Sequence, residues 1–222
     1  MANYKVKITD VTPVVSKVFR IRTEKPANYK FIPGQATEVS LQYDGWENEK
    51  RPFTFTSLPT DKFLEFTIKT YADHEGVTKR IATVGAGDEF EIGDSWGAIE
   101  YKGEGVFIAG GAGVTPFLSI FRDLNQKGQL GNNQLFCSNQ FEDEIICFEE
   151  LKSLLGGKFI NTITKQKDPD LPTGRIDKQF LMNHIKNFKQ PFYVCGPEGF
   201  NNAILKNLKE LGASAEALVF EQ

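Results

Sequence analysis

The hydrophobic pattern of this chain changes period once, close to residue 101, and that change limits the folds open to it more than any other feature. Over the first hundred residues, apolar and polar positions alternate in twos. Tyr4, Val6 and Ile8 face one way while Lys5, Lys7 and Thr9 face the other, as in a half-buried strand. Similar runs cover Val18–Arg22, Thr37–Tyr43, Phe53–Thr56, Phe63–Tyr71 and Glu89–Ile92. Turn residues such as Pro33-Gly34, Asp44-Gly45 and Gly85-Ala86-Gly87-Asp88 separate them. About six short strands, with only a short helix around Val77–Val84, predict a small antiparallel barrel or sandwich over residues 1–100.

Beyond Tyr101 the rhythm is that of alternating strands and helices. Val106-Phe107-Ile108-Ala109 is a continuous apolar run, the mark of a strand buried on both faces. Phe117, Ile120, Phe121 and Leu124 then recur at helical spacing up to Gly128. Further strands are predicted at Gln134–Cys137, Phe159–Thr164, Phe192–Cys195 and Leu218–Phe220. Helices are predicted near Glu142–Leu155, Asp177–Phe188 and Glu198–Leu211. Five strands with four intervening helices make a doubly wound α/β parallel sheet over residues 101–222. The stretch Tyr101–Gly105 is no low-complexity linker, so the halves are expected to pack directly against each other.

Composition narrows the function classes. Among 222 residues, 26 Lys and Arg against 29 Asp and Glu give a net charge of −3, which does not suggest a nucleic-acid surface. The longest mostly apolar run, Val106–Phe121, is short for a membrane span and holds three glycines and a proline. The N-terminus has no apolar signal core. Three cysteines, ten and forty-eight residues apart, fit no zinc or iron–sulfur pattern. The expectation is a soluble cytoplasmic monomer with reduced thiols and no metal. His74 and His184 carry no functional signal, and Glu142-Asp143-Glu144 reads as the acidic first turn of a helix.

In an open parallel sheet, ligands bind beyond the carboxyl ends of the strands. The first such end here reads Gly110-Gly111-Ala112-Gly113-Val114-Thr115-Pro116. Glycines let a phosphate approach the backbone amides, and a following helix adds partial positive charge. Thr115 suits an N-cap and Pro116 the first helical position. This is not the G-x-G-x-x-G fingerprint, and a packing turn is the alternative. A second strand end reads Cys195-Gly196-Pro197-Glu198, where a buried residue and a turn explain the residues as well. In the first half, Arg51-Pro52-Phe53-Thr54 offers an arginine, an aromatic plane and a hydroxyl for a phosphorylated planar ligand, or simply an amphipathic strand. Alternation puts Arg51 and Phe53 on one face and Thr54 on the other.

These three motifs, in this order and at these distances, resemble the ferredoxin–NADP reductase family, which includes flavodoxin reductases and reductase components of oxygenases. The resemblance covers nearly the whole chain. It implies a six-stranded antiparallel β-barrel that binds FAD, then a nicotinamide-dinucleotide domain, with the flavin ring in the cleft between them. Residue by residue, it implies that Arg51 holds a flavin phosphate, Phe53 lies against the isoalloxazine and Thr54 bonds near its N5 edge. The family usually has Tyr at the position of Phe53, so one hydroxyl contact is missing here. Gly76-Val77-Thr78 resembles the segment that meets the FAD pyrophosphate. Gly110, Gly111, Gly113, Thr115 and Pro116 are implied to cradle the dinucleotide, and Cys195, with Gly196 and Pro197, to flank the nicotinamide. Phe220-Glu221 resembles the closing segment that brings an acidic residue, here a proton source, near the flavin.

On this resemblance, hydride passes from NADH or NADPH to FAD, and Thr54 and Cys195 position the two rings. The flavin then releases electrons singly to a small carrier such as flavodoxin or ferredoxin. Two alternatives stay open: a reductase component dedicated to an oxygenase or haem protein, and a flavin-binding regulatory subunit with no turnover. Lys165 and Arg175 match positions where NADPH-selective relatives carry arginines, whereas Ser138-Asn139-Gln140 lacks an arginine that many of them have. Docking to an acidic carrier would need basic residues, and Lys5, Lys7, Arg20, Arg22, Lys25, Lys30, Lys50 and Arg51 supply them in the first half.

Overall fold

The computed structural model describes residues 3–43, 45–71 and 76–220. Strands β1 (Tyr4–Val15), β2 (Val18–Glu24), β3 (Ala36–Leu41), β4 (Arg51–Thr54), β5 (Phe63–Lys69) and β6 (Glu89–Ile92) form an antiparallel sheet in the order β4-β3-β6-β1-β2-β5. The two outer strands meet at one point: Phe55, just beyond β4, bridges to Phe66 of β5. There the Thr56 amide donates to the Glu65 carbonyl at 2.7 Å. Alternate residues Val6, Ile8, Leu64, Phe66 and Ile68 fill the interior. The short helix α1 (Val77–Ile81) adds Val77 and Ile81 to the same core. Each such side chain contributes about 1.5–3 kcal/mol by leaving water.

The second half alternates as its sequence predicts: β7 (Val106–Gly110), α2 (Thr115–Gln126), β8 (Gln134–Asn139), α3 (Phe148–Leu155), β9 (Phe159–Ile163), α4 (Lys178–His184), β10 (Phe192–Cys195), α5 (Glu198–Glu210) and β11 (Leu218–Phe220). The strands are parallel, in the order β11-β10-β7-β8-β9. All five residues of β7 are buried, because helices cover both faces. Val18 of β2 packs into one of these cores, so the two sheets share apolar contact. The crossing segment is pinned: the Tyr193 hydroxyl accepts from the Lys102 amide and donates to the Gly103 carbonyl, both at 2.8 Å. No helix among the described residues is long and apolar enough to cross a membrane.

Three local expectations are corrected. Glu142–Leu155 is not one helix: Glu142–Glu144 makes an isolated turn, and the helix starts at Phe148. Ile145 and Ile146 are consecutive and both buried, and the chain satisfies them by extending at Ile145 before Cys147 turns left-handed at φ 52°. The helix predicted to Phe188 stops at His184, since Ile185 is extended and buried. Its start is as expected, with the Asp177 carboxylate accepting from the Phe180 amide at 2.8 Å. Thr115 is the first residue of α2 rather than its N-cap; Val114 takes that place, and the Thr115 hydroxyl donates to the Ala112 carbonyl at 3.0 Å.

Candidate functional site

Where β4 and β5 approach each other, the barrel's ladder stops. Extending the register from Phe55↔Phe66 would set Thr54 opposite Thr67, Phe53 opposite Ile68 and Pro52 opposite Lys69. Among the described residues no strand pairing joins these positions, and all six line a cleft of about 320 Å³. Proline suits such an edge, having no amide hydrogen to leave unpaired. Alternation predicts Phe53 and Thr54 on opposite faces, yet both reach this cleft because it opens along the strand's unpaired edge.

The opposite wall comes from the parallel sheet. β7 lies between β10 and β8, so the strand order reverses there and a crevice forms at the strands' carboxyl ends. Gly110, Gly113 and Thr115 from one side and Cys195, Gly196 and Pro197 from the other line the cleft with Phe53 and Thr54. Thr78 reaches it from the first turn of α1. Two glycines here are required by packing. A Cβ at Gly113 would run into the Cys195 carbonyl, and one at Gly196 would sit 2.7 Å from the Phe200 ring. Gly111 differs: its φ is +54°, and a Cβ there would meet nothing within 4 Å. Its glycine serves the backbone turn, and the space beside it is open.

That space belongs to a second cavity of about 380 Å³, joined to the first through Lys69, Tyr71, Gly110, Ala112 and Pro197. Ser138, Asn139, Gln140 and Thr164, at the ends of β8 and β9, form its far side. Lys69 is bonded across the two halves to Glu144 at 3.1 Å, both side chains being about 15% exposed. Lys165 and Arg175 are exposed and line neither cavity. The Lys165 amide donates to the Gln140 carbonyl at 3.1 Å, which ties its loop to the end of β8.

Just behind the cleft's lining lies a cluster that the sequence gives little hint of. Glu65 on β5 is 3% exposed and accepts from Arg122 of α2 at 2.8 Å, Arg22 at 2.9 Å and Thr56 at 3.1 Å. Burial alone would push its carboxyl up; the Arg122 charge and the bonds from Arg122, Arg22 and Thr56 outweigh that and hold it below the usual carboxylate range. Arg20, Arg22, Lys50 and Arg51, part of the expected basic docking set, each lie 2.9–4.0 Å from a carboxylate.

Of the sequence-nominated residues, Pro52, Phe53, Thr54, Thr78, Gly110, Gly113, Thr115, Cys195, Gly196 and Pro197 meet at the first cleft, and Gly111 at the second. Arg51 lines neither cavity; its guanidinium donates to the Lys50 carbonyl at 2.7 Å and lies 3.6 Å from the Glu49 carboxylate. Val77 is buried in the barrel core, Gly76 precedes it, and Pro116 is buried in α2. Glu221 and His74 lie outside the described residues. Sequence reasoning missed Thr67, Ile68, Lys69 and Tyr71, whose strand pattern reads as ordinary barrel. His184 is structural, its ring stacked on Phe180 at 4.1 Å. The residues present fit a flavin and a dinucleotide: an aromatic face and hydroxyls flank an unpaired strand edge, and a glycine turn opens onto the joined cavity.

Comparison with known proteins agrees with this arrangement. A family model described as "FAD-binding domain" matches residues 3–93, and one described as "Oxidoreductase NAD-binding domain" matches residues 107–206. The reductase component of propane 2-monooxygenase from Rhodococcus jostii is 24% identical over 98% of this chain and 63% of its own length. A nitrate reductase [NADPH] from Beauveria bassiana is 28% identical over 92% of the chain and 27% of its own length. The chain thus spans less than two thirds of these relatives. Among solved structures, a ferredoxin NADP+ reductase from Neisseria gonorrhoeae with bound FAD and NADP superposes with TM-score 0.86 at 19% identity, covering 100% of this chain and 98% of that one. The cytochrome b5 reductase domain of Ulva prolifera nitrate reductase gives 0.86 at 18% identity, covering 99% and 97%. Two family matches that together span most of the chain, over a barrel and a doubly wound sheet facing one cleft, place this protein in the ferredoxin–NADP reductase-like family of FAD- and NAD-binding oxidoreductases.

Proposed function

We propose that the chain is an NAD(P)H-dependent flavoprotein reductase that delivers single electrons to a small carrier protein such as flavodoxin or ferredoxin. The observation that carries this reading is the single cleft shared by Phe53 and Thr54 from the barrel and Cys195 from the parallel sheet. When bound, the nicotinamide supplies a hydride and the flavin takes it and gives up electrons one at a time. The chain's own work is to bind, orient and exclude water. Phe53 offers the flavin a flat apolar face and Thr54 a hydroxyl. Arg51 takes a flavin phosphate, with Gly76, Val77 and Thr78 at the pyrophosphate. Gly110, Gly111, Gly113, Thr115 and Pro116 hold the dinucleotide. Cys195, with Gly196 and Pro197, would limit where the nicotinamide lies, as hydride transfer requires reacting atoms held within about 3–3.5 Å. Glu221 supplies a proton near the flavin.

On this reading, residues 1–100 form the FAD-binding unit and residues 101–222 the NAD(P)-binding unit. Lys165 and Arg175 are assigned to the 2′-phosphate of NADPH, and their exposure leaves them free to turn toward a ligand. We also propose a cytoplasmic monomer with its three cysteines as free thiols. A second reading, a reductase component serving one oxygenase or haem protein, draws support from the propane monooxygenase relative. Reconstitution with candidate acceptors separates the two.

The first test is anaerobic addition of NADPH, and separately NADH, to the FAD-loaded protein while following the flavin's visible absorption. Fast bleaching by either nucleotide is expected, and the ratio of rates reports what Lys165 and Arg175 do. A bound flavin that neither nucleotide bleaches would sink the reductase reading in favour of a regulatory subunit. Arg51→Ala should weaken flavin retention roughly tenfold to a hundredfold, the loss of one charge-assisted bond. Unchanged flavin content would remove Arg51 from the phosphate.

A further inference from the structure

We infer that Arg122 is a positioning residue for hydride transfer: it sets the distance between the two walls of the cleft without lining the cleft itself. The inference rests on the flavin–nicotinamide reading of that cleft. Ser119 and Arg122, three residues apart on α2, share a helix face, and both grip the barrel. The Ser119 hydroxyl oxygen accepts from the Gly34 amide at 3.0 Å. Arg122 Nη1 donates to the Thr56 carbonyl at 2.6 Å and to Glu65 Oε1 at 2.8 Å. The rest of the guanidinium is clamped by Glu150 of α3, Nε to Oε1 at 2.6 Å and Nη2 to Oε2 at 2.8 Å. With both sides of the planar fork engaged, it has no low-energy way to turn aside.

Its barrel partners sit directly beneath both lips of the unpaired strand edge. Thr56 is two residues beyond Thr54, and Glu65 is two residues before Thr67. The Thr56 hydroxyl closes the triangle, bonding Glu65 Oε1 at 3.1 Å and the Thr67 hydroxyl at 3.2 Å. At its other end, α2 begins with Thr115, which lines the opposite wall. Seven residues of helix span about 10 Å, so a tilt of about 5° at Arg122 moves Thr115 by about 1 Å. A misplacement of that size can cost roughly a hundredfold in rate. A largely buried ion pair is a poor source of net stability compared with apolar residues of similar volume. What this one supplies is a fixed geometry between two elements that carry opposite walls.

The test compares parent, Arg122→Met, Glu65→Gln and the double variant, each loaded with FAD, in anaerobic stopped-flow with NADPH and NADH. In Arg122→Met the limiting bleaching rate should fall roughly tenfold to a hundredfold, while flavin content and half-saturating nucleotide change by less than about twofold. The double variant should be no slower than Arg122→Met, because the two residues act as one contact. In the cofactor-free protein, amide exchange should quicken at residues 54–57, 65–68 and 34, with the inner strands of both sheets at parental rates. A limiting rate within about twofold of the parent in flavin-loaded Arg122→Met overturns the inference. A parent bleached by neither nucleotide overturns the underlying reading and this inference with it; a bleached parent matched by the variant sinks the inference alone. If Arg122→Met does not fold, Ser119→Ala removes the neighbouring contact. It should lower the limiting rate without moving half-saturation, and an unchanged rate there also overturns the inference.

Discussion

At one edge of the contact between barrel and parallel sheet, Arg122 joins Thr56, Glu65 and Glu150, with Ser119 bonded to Gly34 one turn away. At the other edge stand an unpaired strand gap, the Gly110–Gly113 turn and one ion pair, Lys69–Glu144. The first edge ties Arg122, Glu65, Thr56 and Glu150 to one another within the protein, although Arg20 Nε beside Glu65 is buried with no hydrogen-bond partner among the described residues. The second leaves strand edges, glycine backbone and hydroxyls around two joined cavities. The difference teaches how one interface can hold two halves in register and still keep a cleft open: the fastened contacts lie at one edge, and on the proposed reading the cofactors complete the other.

The contrast can be broken by substitution. The largest effect is expected at Gly113→Ala, where a Cβ would meet the Cys195 carbonyl and both sides are backbone. A loss of about 3 kcal/mol, the upper end for overpacking, is expected from denaturant melts, with nucleotide reduction of the flavin impaired. Parental stability would mean the two strand ends are not in contact. Next comes Glu65→Gln at the fastened edge, which should cost about 2 kcal/mol at neutral pH. The effect should depend on pH. The folded carboxyl titrates below its ordinary value of 4.5, so its contribution is complete above that value and is lost as pH falls through the folded one. The gap between parent and variant melting temperatures should therefore close on acidification; a gap independent of pH would contradict the ion-pair account.

Smaller effects belong to the open edge. Phe53→Tyr should tighten FAD by about 1 kcal/mol, roughly fivefold, by adding the hydroxyl the family usually carries. Equilibrium dialysis or flavin fluorescence would show it, and weaker binding would mean the ring is oriented otherwise. Glu144→Gln should cost less than Glu65→Gln, about 1 kcal/mol in thermal melts, because one charged contact is lost and the amide oxygen can still accept from Lys69. A loss as large as that of Glu65→Gln would erase the distinction between the edges.

The motifs at the cleft were readable because each is local. A strand end followed by Gly110-Gly111-Ala112-Gly113, or by Cys195-Gly196-Pro197, advertises a turn that a phosphate or ring can approach. Helix boundaries were less readable where burial overrode acidity and periodicity, as at Ile145-Ile146 and Ile185. Thr67, Ile68 and Lys69 gave no sign of their role, since a strand beside a gap has the same alternation as a strand inside a ladder.

By itself, then, the sequence determined the two sheet types, their order along the chain and the loops at the strand ends, because hydrophobic period and turn chemistry are properties of neighbouring residues. Tertiary structure alone decided that the ladder stops between β4 and β5, that Gly113 meets Cys195, and that Arg122 reaches Glu65 across 57 positions of chain. Those outcomes depend on how a barrel closes and how two sheets dock. No period in the sequence encodes the distance between residues that meet only after both have folded.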